Sequence, residues 1–273
     1  MIRFNNFFNQ TRRSELRLET FGTSEVGHHK TTNEDAFLIS DINAAGKLLA
    51  VADGFTNNFG DEVSRLVVNA MRDALGLSSN YTVLERLRKA IEMASWKIKT
   101  HFQTIHHSRA VGTTLTAVYV VEDTAYVAHV GNSRAYLVRG GAVKQLTTDH
   151  TFAQALADSG VEPGAAARKT LLQAVGVDYE LVPMLVQTEL LPDDYLLLCS
   201  DGFSNNLDSA EIARAIEENA DVSVAAQRLV ETADERDGSD NITLILARVC
   251  RTKAAAKSFA AVSPQPFAMR MAA

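Results

Sequence analysis

The sequence predicts an α+β fold, a layered sandwich with antiparallel strands inside and helices outside. Short β-rich apolar runs recur in three regions of the 273 residues, and amphipathic helical stretches lie between them. In the middle region the gaps between runs are too short for a helical crossover, so the strands there must be antiparallel.

The first β region comprises Ala36 to Asp41 and Lys47 to Asp53. A helix follows, because Val63, Leu66, Val67, Ala70, Met71, Ala74 and Leu75 recur at the three-and-four spacing of one buried stripe. A second helix runs from Val83 to about Thr100, opened by Thr82 and Glu85 at capping-box spacing, with Leu84, Leu87, Ile91, Ala94 and Ile98 inward. The middle region reads as a strand meander of Thr116 to Glu122, Ala125 to Val130 and Ser133 to Arg139. The last β region combines Leu181 to Ser200 with Ile242 to Val249, and two helices between them start near Asp208, with Glu211 three residues on, and near Asp221. The first helix pair suits one face of the layered strands and the second pair the opposite face.

No linker, charge block or repeat divides the chain, so one domain over residues 15–250 is expected, with an N-terminal extension at 1–14 and a tail at 251–273. The composition, 46% hydrophobic and 22% charged, is that of a globular protein with a sizeable core. A net charge of −6 gives no footprint for nucleic acid, which requires clustered Lys and Arg. No long apolar span is present, so no membrane span is expected. Two cysteines, Cys199 and Cys250, give no disulfide framework and agree with a reducing, cytoplasmic setting.

The chemistry lies in aspartates at the ends of apolar strands. Asp53 follows Leu48 to Ala52 and precedes Gly54; Asp201 follows Tyr195 to Ser200 and precedes Gly202. A carboxylate there is costly unless cations or solvent satisfy it, and a following glycine permits a sharp turn and close approach to a ligand. Asp-Gly is also an ordinary turn signal. Glu34 and Asp35 stand just before a strand, as does Asp240 in Gly238-Ser239-Asp240-Asn241. Such oxygen ligands select hard divalent cations, magnesium or manganese, over zinc. The seven histidines show no ligand spacing on a helix. Cys199, inside an apolar strand, reads as a buried inert thiol.

Taken in order, seven segments resemble the metal-dependent protein phosphatase family of the PP2C type, particularly its bacterial members. They are Thr32-Asn33-Glu34-Asp35-Ala36, Val51-Ala52-Asp53-Gly54, Gly112-Thr113-Thr114-Leu115, Val130 to Tyr136, Leu146 to His150, Leu198-Cys199-Ser200-Asp201-Gly202 and Ser239-Asp240-Asn241-Ile242-Thr243. The resemblance implies a four-layer α/β/β/α sandwich, two antiparallel sheets with a helix pair on each outer face. It also implies a binuclear site at one edge of the sandwich. There Asp53 bridges two Mn2+ or Mg2+ ions, the Gly54 carbonyl binds one, Asp201 and Asp240 hold the first, Asp35 acts on the second directly or through water, and Glu34 supports that water shell. The implied reaction is hydrolysis of phosphoserine and phosphothreonine in proteins by in-line attack of a metal-bridging water, without a phosphoenzyme.

Three positions depart from the family pattern. Lys30 stands where the phosphate-binding Arg falls and keeps the charge without the bidentate fork. Asn58 stands where bacterial relatives carry a His that serves as leaving-group acid. Asn132 replaces the Asp of the Gly-Asp-Ser-Arg segment and should weaken or remove a third metal site. The stretch between Thr151 and Val175 reads as a short flap that helps set substrate choice. The expected activity is that of a monomeric phosphatase acting on phosphoproteins, opposite a Ser/Thr kinase. The alternative is a phosphatase-like regulatory or phosphoprotein-binding module with weak or no catalysis.

Overall fold

Three of the long helices start where local chemistry says they should. The computed structural model describes residues 16–43, 46–55, 59–77, 79–105, 111–177 and 180–252. In α2 (Val83–Ile105), the Glu85 carboxylate accepts from the Thr82 amide at 2.8 Å and the Glu85 amide donates to Thr82 Oγ1 at 3.3 Å, closing the capping box. The helix before it, α1 (Gly60–Gly76), buries Val63, Val67, Val68, Met71 and Leu75 along one stripe. After two short helices, α3 (Phe152–Asp158) and α4 (Ala165–Lys169), and a single turn, α5 (Asp201–Ser204), come α6 (Ser209–Glu218) and α7 (Val222–Arg236). Asp208 and Glu211 form a full capping box on α6, and the Asp221 side chain caps α7.

The strands are β1 (Leu16–Glu25), β2 (Asp35–Ile42), β3 (Gly46–Phe55), β4 (Gly112–Thr113), β5 (Leu115–Val121), β6 (Thr124–Val130), β7 (Arg134–Arg139), β8 (Ala142–Gln145), β9 (Met184–Glu189), β10 (Tyr195–Cys199) and β11 (Ile242–Arg251). They make two antiparallel sheets. One has the order β1-β11-β10-β7-β8, the other β2-β3-β5-β6-β9 with β4 paired to β3.

Period-two alternation on β3 assigns its faces. Leu48, Ala50 and Ala52 pack with α1 and α2, whereas Leu49 and Val51 face the other sheet and meet Leu196, Leu198, Ile245 and Ala247. On the far sheet Leu197, Cys199, Leu244 and Leu246 pack under α6 and α7. The order of layers is therefore helices, sheet, sheet, helices, as the resemblance implies.

Two expectations need correction. The middle strands are not one meander: β5 and β6 pair, but β7 pairs with β10 and β8 in the opposite sheet. The chain changes sheets at Gly131, whose φ of +106° and close approach to the Thr114 side chain, 2.7 Å from an added Cβ, admit only glycine. The open edge of β6 is taken by β9 instead. Likewise Leu181 to Ser200 is not one β unit, since β9 and β10 lie in different sheets. The sequence reading also placed no strand at β1, which pairs along its full length with β11. The extension at 1–14 and residues 253–273 of the tail expected at 251–273 lie outside the described residues, and Arg251, placed in that tail, is the last residue of β11.

Candidate metal centre

Asp35 and Asp53 are directly opposite each other in the β2–β3 ladder. Cross-strand partners point to the same face, and counting from Val51 puts both carboxylates on the face between the sheets, at its open end. The other sheet supplies its own pair there. Asp201 begins α5 directly after β10, and Asp240 stands two residues before β11. Four aspartates from distant parts of the chain thus converge because antiparallel neighbours bring their strand ends to one edge.

Asp35 is the deepest of them. The Ser200 and Thr243 hydroxyls stand beside its carboxylate and favour its charged form, and behind Thr243 runs a relay in which Ser24 Oγ lies 2.6 Å from Thr243 Oγ1 and the Asn33 amide donates to Ser24 Oγ at 2.8 Å. Yet Asp35 Oδ2 is buried with no hydrogen-bond partner. Burial raises Asp35 to about 7 despite those hydroxyls, and the charges of Asp201 and Asp240 add to the rise. Asp53 is pushed well above the usual carboxylate range by burial and by Asp35, Asp201 and Asp240. Asp201 is raised by burial and by Asp240, while the hydrogen bond from the Asn132 amide acts the other way.

The backbone at Asp53 is clamped. Its amide donates to Thr114 Oγ1 at 2.9 Å, and its carbonyl accepts from the Thr114 amide at 2.8 Å and Thr113 Oγ1 at 2.9 Å. Gly54 has no room for a side chain, since a Cβ would lie 2.1 Å from the Gly60 carbonyl oxygen. Its amide donates to the Glu34 carbonyl at 3.1 Å. The close approach expected of this glycine is therefore made to the start of α1, and Gly202 makes the equivalent approach to the Asn241 carbonyl.

Of the remaining predicted residues, Glu34 lies against Gly60 and is raised by partial burial. Lys30 Nζ stands 2.7 Å from Asp240 Oδ1. Asn132 donates its amide to Asp201 Oδ2 at 2.9 Å, so in this arrangement its nitrogen, not its carbonyl, faces the cluster. Asn58 lies outside the described residues. Cys199 is buried, and desolvation raises its thiol far above the usual range.

Sequence reasoning missed Asn241 as an organiser. Its Oδ1 accepts from the Glu34 amide at 2.9 Å and its Nδ2 donates to the Val26 and Thr32 carbonyls at 2.8 and 3.1 Å. One side chain thereby fastens the segment carrying Lys30 and Glu34 to the turn carrying Asp240. Its position inside a motif was the only available signal. The flap contains α3 and α4, which were not anticipated, and it returns to the site's foundation where Thr113 and Val175 exchange backbone hydrogen bonds at 3.0 and 2.9 Å.

Among the described residues no group of three or more His, Cys, Asp and Glu side chains already surrounds one ion position. The donor chemistry nevertheless fits hard divalent cations: every donor is oxygen, Asp35 Oδ2 has no partner, and burial together with neighbouring carboxylates keeps Asp53 and Asp201 from ionising freely.

The Protein phosphatase 2C family model matches residues 22–246. The chain belongs to the protein phosphatase 2C family. It is 32% identical over 242 residues to the serine/threonine protein phosphatase PstP of Mycobacterium tuberculosis, covering 87% of this chain and 46% of that protein. It is 30% identical over 236 residues to the protein phosphatase PhpP of Streptococcus pneumoniae, covering 82% and 94%. The chain thus spans about half the length of PstP and nearly all of PhpP. The catalytic domain of PstP, solved in complex with two manganese ions, superposes with a TM-score of 0.76 at 31% identity, covering 86% of this chain and 99% of that one. Among the described residues no helix is long and apolar enough to cross a membrane.

Proposed function

We propose that this protein phosphatase 2C member is a metal-dependent phosphatase that hydrolyses phosphoserine and phosphothreonine in proteins. The observation that carries this reading is the convergence of Asp35, Asp53, Asp201 and Asp240 at one open sandwich edge, where burial and like charge oppose ionisation of Asp35, Asp53 and Asp201. The names of PstP and PhpP support the reaction class, and the two manganese ions of the PstP domain support the cation count.

Asp53 would serve both cations and the Gly54 carbonyl one of them, Asp201 and Asp240 would hold the first, and Asp35 with Glu34 would belong to the surroundings of the second. Bound manganese or magnesium supplies an activated water and offsets charge on the phosphoryl oxygens. Asp53 is held for its task by Thr113 and Thr114, which fix its backbone on both sides. Lys30 supplies a positive charge at the rim, suited to a phosphoryl oxygen. Asn132 offers no charge for a third cation, so that site is weak or absent. Physiologically the partner is a phosphoprotein made by a Ser/Thr kinase. The two free thiols accord with a cytoplasmic setting.

The contacts of Lys30 with Asp240 and Asn132 with Asp201 favour a second reading, a phosphoprotein-binding module whose carboxylates are partly satisfied by its own side chains. Hydrolysis of a phosphothreonine peptide, measured with manganese and then with chelator, separates the two. Metal-dependent turnover that Asp53→Asn abolishes in a folded protein supports the enzyme. Binding of the peptide without turnover at any metal concentration supports the module.

A further inference from the structure

We infer that Lys30 is a tethered cation that exchanges Asp240 for the phosphoryl group, so that divalent-cation binding and phosphate binding strengthen each other through one side chain. The inference rests on the metal-binding reading of the aspartate cluster and specifies how that site is regulated.

The segment bearing Lys30 is fastened on both sides to the Asp240 turn. The His28 amide donates to the Gly238 carbonyl at 2.7 Å, Asn241 Nδ2 holds the Val26 and Thr32 carbonyls, and the Glu34 amide donates to Asn241 Oδ1 at 2.9 Å. The backbone under Lys30 is thereby positioned, and what remains free to move is a flexible four-carbon stem ending in an ammonium. That ammonium lies 2.7 Å from Asp240 Oδ1, with both side chains more than a third exposed.

Asp240 Oδ1 also accepts from the Asn241 backbone amide at 2.9 Å. A carboxylate oxygen has two lone pairs, and both are engaged, one by an amide that cannot leave and one by Lys30. A divalent cation that takes Asp240 Oδ1 must therefore displace the ammonium, which it also repels. The acids whose charge Lys30 feels are Asp240, Glu34 and Asp53, and cations bound to this cluster neutralise the first and last of them. The displaced ammonium is then left with Glu34 and, when phosphate is bound, with a phosphoryl oxygen as acceptors. By reciprocity, phosphate that captures Lys30 frees Asp240 Oδ1 and tightens cation binding.

The test is calorimetric titration of manganese into the full chain as wild type, Lys30→Gln, Lys30→Met and Lys30→Arg, each with and without inorganic phosphate. Without phosphate, the Gln and Met variants bind the first manganese about threefold to tenfold more tightly than wild type, the scale of one half-exposed ion pair plus the repulsion removed. Lys30→Arg keeps the competing cation and does not gain. Phosphate tightens manganese binding in wild type more than in the Gln and Met variants. Equal manganese affinities and equal phosphate effects in wild type and these two variants would overturn the exchange while leaving the metal site intact. Failure of the wild type to bind manganese would instead overturn the metal-site reading on which the exchange rests.

Discussion

Replacing Asp35 by Asn should make the metal-free protein relatively more stable as pH rises, although the residue belongs to the site. Asp35 is 8% exposed, and burial raises it from an ordinary 3.8 to about 7. Because the folded chain holds this proton more tightly than the unfolded chain, the associated stability is complete at acid pH and is lost as pH rises through about 7. The difference between 3.8 and about 7 corresponds to about 4 kcal/mol against ionisation, of which about 3 kcal/mol falls between pH 5 and 8. Asn cannot titrate, and the constant cost of its imperfectly paired amide cancels when two pH values are compared. Urea denaturation of wild type and Asp35→Asn in chelator at pH 5 and pH 8 measures the effect. The variant should gain about 3 kcal/mol relative to wild type between these conditions. With saturating manganese at pH 8 the difference should move back in favour of wild type, because bound cations would hold Asp35 ionised and stabilise wild type by about 3 kcal/mol at a hundredfold excess over Kd. A stability difference that does not change with pH in chelator, or that moves against the variant, would refute the electrostatic account of the cluster.

Asp201→Ala and Asp240→Ala should each weaken manganese binding, and the double change should cost less than the sum because one ion uses both carboxylates; calorimetry showing strict additivity would count against a shared ion. Asn132→Asp puts a carboxylate against Asp201 Oδ2, now held by the Asn132 amide at 2.9 Å. It should lower the melting temperature in chelator and raise turnover at millimolar manganese or magnesium, as a third cation gains a charged ligand. Unchanged melting and flat rates across a metal series would show that this position does not govern a third site.

What could be read from the sequence was local. The boxes at Thr82–Glu85 and Asp208–Glu211 formed as their spacing required, because a cap is decided within four residues. The Asp-Gly strand ends were legible because a charge after an apolar run is anomalous wherever the strand lies. Which sheet a strand joins was not legible. β6 and β7 are separated only by residues 131–133, yet competition from β9 for one edge and β10 for another sends them to different sheets. β1 carries a period-two signal in Leu16 and Leu18, too brief to stand out until β11 supplies its partner. The contacts of Lys30 with Asp240 and of Asn241 with residues 26–34 join distant parts of the chain, and nothing in the local spacing of either segment announces them.

The central claim is that this aspartate cluster holds two cations and hydrolyses phosphoprotein with them. Its most direct test is a manganese titration in which bound metal per chain and turnover of a phosphothreonine peptide are measured on the same sample. The account predicts two tightly bound ions per chain, turnover that rises as they fill, and loss of both on chelation. Hydrolysis that persists in the metal-free protein, or two bound ions with no hydrolysis, would contradict it.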